Sequence, residues 1–569
     1  MDGLSRRGGR GSLRAALLTL VLASGLLVGG PSVASAATPP GGEVSPAPIT
    51  TQDLRSGAAP SGLTVNSRFA PPEGARAARR PFVGTLRLDG APMTMLTDAP
   101  GGVTDPVLGK DTTYFPDVSL SFFTYRDQLV PTTQGVVRNG ILPGTHSFWD
   151  VVVQPGRVWA DPGGHGWNRA SFPFALVNSL ENETHTGIAV FLYRGSTVSP
   201  VRFQVVQQTS PWYVPEFFSA WGVSGAEYEP GGISGLGARK LAHARERAHL
   251  LPVRPLSERP DDVPAPEESP DTYVSAVVDD GVLYRSECRT AAGPFPYCDG
   301  MRHGMWSVTK SAMMNVAMLR LAEKYGAGLL REPIARYVPG ARRPDWRDVT
   351  FLDMANMSSG HGESGDEGSP DYNRWYEALP ERPKTAQAFA EDPRTGEPGT
   401  QFHYRDETAY LLGVALQAYL ERREGPRASI WTMLEREVYR PIGIFHAPTN
   451  STVERDGSRG HPLLAFGYYA TLDDLAKIAM LYQNHGARKG RQILHRGLVD
   501  GLLPTTTPPP ADRSPSSEYY LNWWFTTSGE WWLPSMEGYG GNTVTLLPRD
   551  QATIAIGNED SGGCVGCGG

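Results

Sequence analysis

Cysteine is scarce in this chain, with four residues in 569. Cys564 and Cys567 form a Cys-x-x-Cys in a glycine-rich tail, with no second ligand pair for zinc and no βαβ pattern for a redox motif. A structural bridge or a free tail pair remains. Long apolar runs are equally rare, and none after the N-terminal segment approaches membrane length. An excess of positive charge is also missing: 53 Lys and Arg face 60 Asp and Glu, a formal charge of −7, which argues against nucleic acid as a partner. No Gly-x-Ser-x-Gly occurs, and Gly232-Ile233-Ser234-Gly235 lacks the spacing of a nucleophile elbow, so the α/β-hydrolase reading is weak. His361-Gly362-Glu363 with Asp366-Glu367 lacks two ligands at helical spacing and reads as a solvated loop, so no metal is expected.

The first 36 residues carry Arg6, Arg7, Arg10 and Arg14, then an apolar run from Ala15 to Val28, then Ala34-Ser35-Ala36. This pattern predicts a secretory signal cleaved after Ala36, by the general or the twin-arginine route, and a secreted or periplasmic protein with no stable membrane span. Cleavage removes four arginines and Asp2, taking the charge to −10. A hydrophobic content of 40%, with 13 Trp and 22 Tyr, supports a large core, and the length favours two domains or more.

Residues 37–77 are rich in Ala, Pro, Gly and Ser and read as a disordered linker. From 78 to 254 short β-prone runs such as Phe148-Trp149-Asp150-Val151-Val152-Val153 and Gly187-Ile188-Ala189-Val190-Phe191-Leu192-Tyr193 alternate with Pro-Gly turns, predicting a β-sandwich-like module. Trp149, Trp159 and Trp167 could stack on a polymer, although core positions are commoner for such residues, and the module is assigned no ligand. Asn182-Glu183-Thr184 is an N-glycosylation sequon by pattern alone. A Pro- and acid-rich stretch, 255–271, marks a linker before a last domain, 272–569.

That last domain contains the most informative residues, Trp306-Ser307-Val308-Thr309-Lys310, at the start of a helical pattern that runs to Gly326. Residues three apart on a helix share a face, so the Ser307 hydroxyl and the Lys310 amine meet. An uncharged amine can take the proton of a serine that would otherwise be a poor nucleophile, which requires a partly desolvated cleft. In the first helical turn the unpaired N–H groups favour developing negative charge.

From here the chain resembles the serine β-lactamase and penicillin-binding-protein superfamily, in its class C-like branch of β-lactamases, esterases, D-amino-acid peptidases and amide hydrolases. The likeness rests on Ser307-x-x-Lys310, on two strands around Asp279-Asp280-Gly281, on Leu330 to Pro339, on Val349 to Gly360, on Tyr404-Arg405-Asp406 and on Tyr469 to Ala476. It implies an α+β fold, an antiparallel sheet flanked by helices with an all-helical subdomain. It also implies an acyl-enzyme on Ser307, with Lys310 and Tyr404 moving protons and no cofactor. The third motif is best matched by Tyr539-Gly540-Gly541-Asn542, whose glycines let substrate approach the strand; the resemblance places the oxyanion hole at the N–H groups of Ser307 and Asn542. Two positions depart from the family. Asp406 stands where an asparagine amide would bind an acylamino carbonyl, and its carboxylate would pair with Lys310 instead. Tyr539 supplies no cation for a substrate carboxylate.

Both departures favour small esters or amides over β-lactams and D-Ala-terminated peptides, a cell-envelope peptide remaining an alternative substrate. A non-catalytic envelope binding protein that keeps the fold is the alternative from another class. Thr471 with Asp474 fits a helix cap rather than paired acids, and His303 and His403 beside the motifs fit packing as well as chemistry. Cys288 and Cys298 could close a short loop before Ser307, while cross-pairing with Cys564 and Cys567 is open if first and last strands are neighbours, as in the family.

Overall fold

The structure, a computed structural model, describes residues 43–557 apart from 98–106, 210–217, 267, 270, 363–369, 391–392, 457–458 and 509–513. The expected signal segment, Cys564, Cys567, Glu363, Asp366 and Glu367 lie outside the described residues. The described residues belong to one compact unit.

Residues 43–77, expected to be a disordered linker, are ordered. Thr50 and Asp53 cap helix α1 (Thr51–Ser56) reciprocally. Ile49, Leu54, Leu63 and Phe69 are buried in a core that includes Ile188, Val190 and Leu192, each burial contributing roughly 1.5–3 kcal/mol. Four anchors without a helical or strand period are invisible against an Ala- and Pro-rich background.

The front sheet has twelve strands, of which β1 (Val83–Leu88), β2 (Val118–Tyr125), β3 (Asn168–Val177), β4 (Thr184–Arg194), β5 (Val201–Thr209) and β6 (Phe218–Ser224) are the longest. Four strands separate β1 from β4 along the hydrogen-bonded path. Nevertheless Phe82, next to β1, meets Phe191 of β4 with ring centroids 5.5 Å apart, and Phe115 stacks on Phe203 of β5 at 4.3 Å. The sheet therefore curls and packs one face upon itself, so a sandwich-like core is made by one sheet rather than two. Along β4 the period of two sends Ala189, Phe191 and Tyr193 into this aromatic core and Ile188, Val190 and Leu192 to the other side. Trp149, Trp159 and Trp167 are 0%, 3% and 6% exposed, which makes them core residues and not a polymer-binding strip. Asn182 of the sequon is fully buried.

Helix α2 (Leu236–Arg247) leads to the rear half. Its sheet contains β7 (Val274–Asp279), β8 (Val282–Arg285), β9 (Trp523–Ser528), β10 (Trp531–Gly538), β11 (Asn542–Leu547) and β12 (Gln551–Ile556), in the order β8-β7-β12-β11-β10-β9. Asp280 and Gly281 both adopt positive φ, 43° and 74°, the two-residue turn that matches strand twist. First and last strands are neighbours, with Val274 opposite Ile556. The helix that follows Ser307 and ends as α3 (Val316–Tyr325), together with α4 (Pro370–Glu377), α5 (Glu381–Ala390), α6 (Asp406–Glu424) and α7 (Leu472–Gln483), belongs to the helical part. α7 packs on β12, β11 and β7. This is the α+β architecture that the motifs imply. Thr471 and Asp474 make the expected capping box on α7, and Cys288 and Cys298 are bridged, with Cα atoms 5.6 Å apart. Among the described residues no helix is long and apolar enough to cross a membrane.

Candidate active site

Ser307 sits at the mouth of its helix behind a residue in an unusual conformation, Trp306, whose φ is 47°. A bulky side chain in the left-handed region is strained and persists only where its surroundings fix it. The next turns are tight, with Val308 N–H bonded to Met305 O at 3.1 Å and Lys310 N–H to Ser307 O at 2.9 Å. The helix then widens to π geometry from Lys310 to Asn315. Carbonyls on this stretch accept from outside: Ser311 O from the Tyr482 hydroxyl at 3.3 Å and Ala312 O from the Tyr439 hydroxyl at 3.0 Å. Such bulges are common at functional sites.

Lys310 is 1% exposed and its ammonium has three acceptors for three N–H directions. Ser307 Oγ lies 2.6 Å away and the Ala465 carbonyl 3.1 Å, and the third partner is Asp406 Oδ1. One nitrogen thus links the Ser307 hydroxyl to a carboxylate, the pairing expected at Asp406. Asp406 opens the 19-residue α6, where the helix dipole favours negative charge. The Lys310 ammonium also lies 4.9 Å from the centre of the Tyr404 ring, a cation–π contact, and Tyr404 packs on Trp524 at 5.4 Å and Tyr519 at 5.8 Å.

The third motif reaches the Ser307 turn along β10. Pairing of β10 with β9 ends at Ser535, leaving the following residues to face the Ser307 turn. Gly538 is the point of contact: a Cβ there would lie 2.3 Å from Met305 O and 3.2 Å from Val308 N, so only glycine fits. Tyr539, Gly540 and Gly541 form the turn between Gly538 and its partner Asn542. Asn542 is fully buried, and its Nδ2 donates to Tyr539 O at 2.9 Å and Gly304 O at 3.3 Å, tying the hairpin to the segment before Ser307. The Tyr539 ring meets Trp306 at 5.3 Å.

Several participants carry no motif. Tyr376 of α4, 30 positions before Asp406, donates its hydroxyl proton to Asp406 Oδ2. Behind it Lys384 of α5 donates to Trp375 O at 2.6 Å and Tyr376 O at 3.2 Å; burial pushes its amine down to about 7, against the pull of Glu407 and Asp406. Arg405 points away from the cleft into a buried pair with Glu407 at 3.0 Å. His303 is buried, and burial with the nearby Arg302 pushes it down to about 3, whereas His403 is exposed. His361 stacks on Trp346 at 3.7 Å and contacts Asp345 O, a packing role. Among the described residues no group of three or more metal-ligating side chains occurs.

The Beta-lactamase family model matches residues 265–557, just over half of the sequence. The chain belongs to the β-lactamase family. Its architecture and superfamily are therefore those of the serine β-lactamases and penicillin-binding proteins, and the match supports a hydrolase of the serine superfamily. Similar solved structures include a Bacillus anthracis protein provisionally described as a 6-aminohexanoate-dimer hydrolase, 17% identical over 52% of this chain and 75% of its own, with a TM-score of 0.41. A penicillin-binding-protein homologue from Caulobacter crescentus is 14% identical over 55% and 91%, with a TM-score of 0.37. An octameric penicillin-binding-protein homologue from Pyrococcus abyssi is 16% identical over 58% and 74%, with a TM-score of 0.36. Comparison with curated protein sequences finds no match.

Proposed function

We propose that this β-lactamase-family protein is an exported serine hydrolase that cleaves an ester or amide bond through an acyl-enzyme on Ser307. The observation that carries the reading is the 2.6 Å contact between Lys310 Nζ and Ser307 Oγ inside a buried ion pair with Asp406. Ser307 Oγ attacks the carbonyl carbon while Lys310 takes its proton and passes another to Asp406, so the pair gains one positive charge that balances the negative charge developing on the carbonyl oxygen. The N–H groups of Ser307 and Asn542 hold the oxyanion, each donor contributing about 3 kcal/mol to lowering the barrier. On collapse the carbonyl–heteroatom bond breaks and the leaving oxygen or nitrogen takes a proton from Tyr404, which Lys310 replaces. Water, activated by the same groups, then hydrolyses the acyl-serine.

Substrate choice follows from what faces the cleft. Asp406 is committed to Lys310 and Tyr376, so it offers no amide to an acylamino group, and Tyr539 at the strand edge is neutral. Trp306, next to Ser307, meets Phe466 and Tyr539, and Tyr404 lies over Lys310, an aromatic setting that suits a compact apolar acyl group. A panel of p-nitrophenyl esters, D-amino-acid amides and nitrocefin tests this reading. Turnover of the esters, lost in Ser307→Ala, is expected. Nitrocefin turnover in preference to esters would overturn the substrate class, and no turnover of any member by folded protein would favour a non-catalytic binder.

A further inference from the structure

The hairpin between β3 and β4 of the front sheet ends beneath the nucleophile. Asn178, Ser179, Glu181, Asn182 and Glu183 at its tip are all buried, an unusual density of polar groups for a turn enclosed by protein. Asn182 Oδ1 accepts the Trp306 N–H at 2.6 Å. Its main-chain oxygen lies so close to Gly304 that a Cβ there would come within 1.7 Å, and Thr184 Oγ1 accepts the Gly304 N–H at 3.3 Å. Two amides in the three residues before Ser307 are therefore satisfied by the front sheet.

We propose, resting on the hydrolase reading above, that Asn182 is a positioning residue for Ser307: it holds the Trp306 amide in the left-handed turn from which the nucleophile projects, so that the front sheet completes the active site. Strain at Trp306 must be fixed by its surroundings, and a buried amide hydrogen bond at the strained residue does this directly. The acceptor is itself immobile. Asn178 Oδ1 accepts from the Leu180 and Glu181 amides at 2.8 and 3.1 Å, and Asn178 Nδ2 donates to Glu181 at 2.6 Å and Glu183 at 3.1 Å. From the rear half Asn450 Nδ2 donates to Glu181 O at 2.6 Å and Asn178 O at 3.1 Å, and Arg138 grips Asn450 Oδ1 at 2.7 Å. A tip clamped from both halves restrains the turn, and a misplacement of about 1 Å at a reacting group can cost about 10²-fold in rate.

The test compares the full chain with Asn182→Ala, Asn182→Asp, which keeps an oxygen acceptor, and Leu180→Ala, which opens a cavity in the same hairpin but leaves the acceptor. The rate of fluorophosphonate labelling at Ser307, kcat and KM for a p-nitrophenyl ester, and Tm are measured for each. Asn182→Ala is expected to lower labelling and kcat about 10–100-fold with KM within about twofold. Asn182→Asp should recover to within about fivefold, and Leu180→Ala should lower Tm while kcat stays within about threefold. Wild-type labelling in folded Asn182→Ala, or an equal loss of kcat in Leu180→Ala, overturns the proposal. Should Asn182→Ala not fold, Asn182→Asp decides alone, since a folded variant about 100-fold slower than wild type contradicts the acceptor role. A wild-type protein that resists the label contradicts the hydrolase reading itself, whereas equal labelling of wild type and Asn182→Ala contradicts only the role of Asn182.

Discussion

In the front sheet the enclosed face is filled with rings, Phe82, Phe115, Phe122, Phe172, Phe191 and Phe203 among them, and many of its buried polar groups are gathered at one hairpin tip. In the rear half the sheet is lined with aliphatic residues such as Val274, Val544 and Ile554, and buried polar groups gather where helices meet the end of β10. The two polar clusters touch across Trp306. Apolar packing in either half holds shape and tolerates change as a loss of stability alone. Change at the polar clusters should appear in chemistry. The difference teaches that polar contacts cross the apparent boundary between the β-rich front part and the β-lactamase-like rear part.

The sharpest way to separate the halves is to remove the nucleophile. Ser307→Ala is expected to lower ester hydrolysis by at least about 10³-fold with Tm nearly unchanged, as steady-state assay and calorimetry would record. Lys310→Ala should also abolish turnover but with a stability cost, because it takes the cation from the buried Asp406; denaturant unfolding should show a loss of about 3–5 kcal/mol. A fully stable Lys310→Ala would contradict that cost. The opposite result is expected in the front core, where Trp149→Ala should cost about 3–5 kcal/mol while kcat/KM of the folded fraction stays within twofold. Loss of activity there would break the comparison.

A smaller effect is expected at Tyr376→Phe, which removes a hydrogen bond to a charged carboxylate worth about 1.5–3 kcal/mol and should lower kcat roughly tenfold with little change in KM. The pH dependence of stability gives a separate check. His185 and His303 are held neutral by burial down to about pH 3. The unfolded chain takes up protons on these residues near pH 6.5, so acid favours unfolding from about pH 6.5 downward, by up to ~1.4 kcal/mol per pH unit for each. Tm should fall between pH 7 and 5, and His303→Asn should flatten that slope. An unchanged slope in the variant would place the titration elsewhere.

What could be read from the amino-acid order follows the range of the interactions. Ser307 and Lys310 are one helical turn apart, Thr471 and Asp474 cap their own helix, and Asp280-Gly281 makes its own turn, so each was legible locally. Asp406 was legible because one changed residue in a motif announced a new partner. Tyr376, the Ala465 carbonyl and Asn182 reach the site from distant chain positions by tertiary packing, and nothing near them in sequence signals this. Residues 43–69 misled for a related reason, since their anchors are held by β4 and not by a period of their own. At Asn182 the sequon is a pattern alone, since the turn that carries it is sealed by the other half of the molecule.

The most direct measurement is mass mapping of the wild-type protein and Lys310→Ala after reaction with a fluorophosphonate. One adduct, on the peptide containing Ser307 and absent in Lys310→Ala, is the expected result. A folded wild-type protein with no adduct at Ser307, or with equal modification when Lys310 is gone, would contradict activation of Ser307 by the lysine beside it.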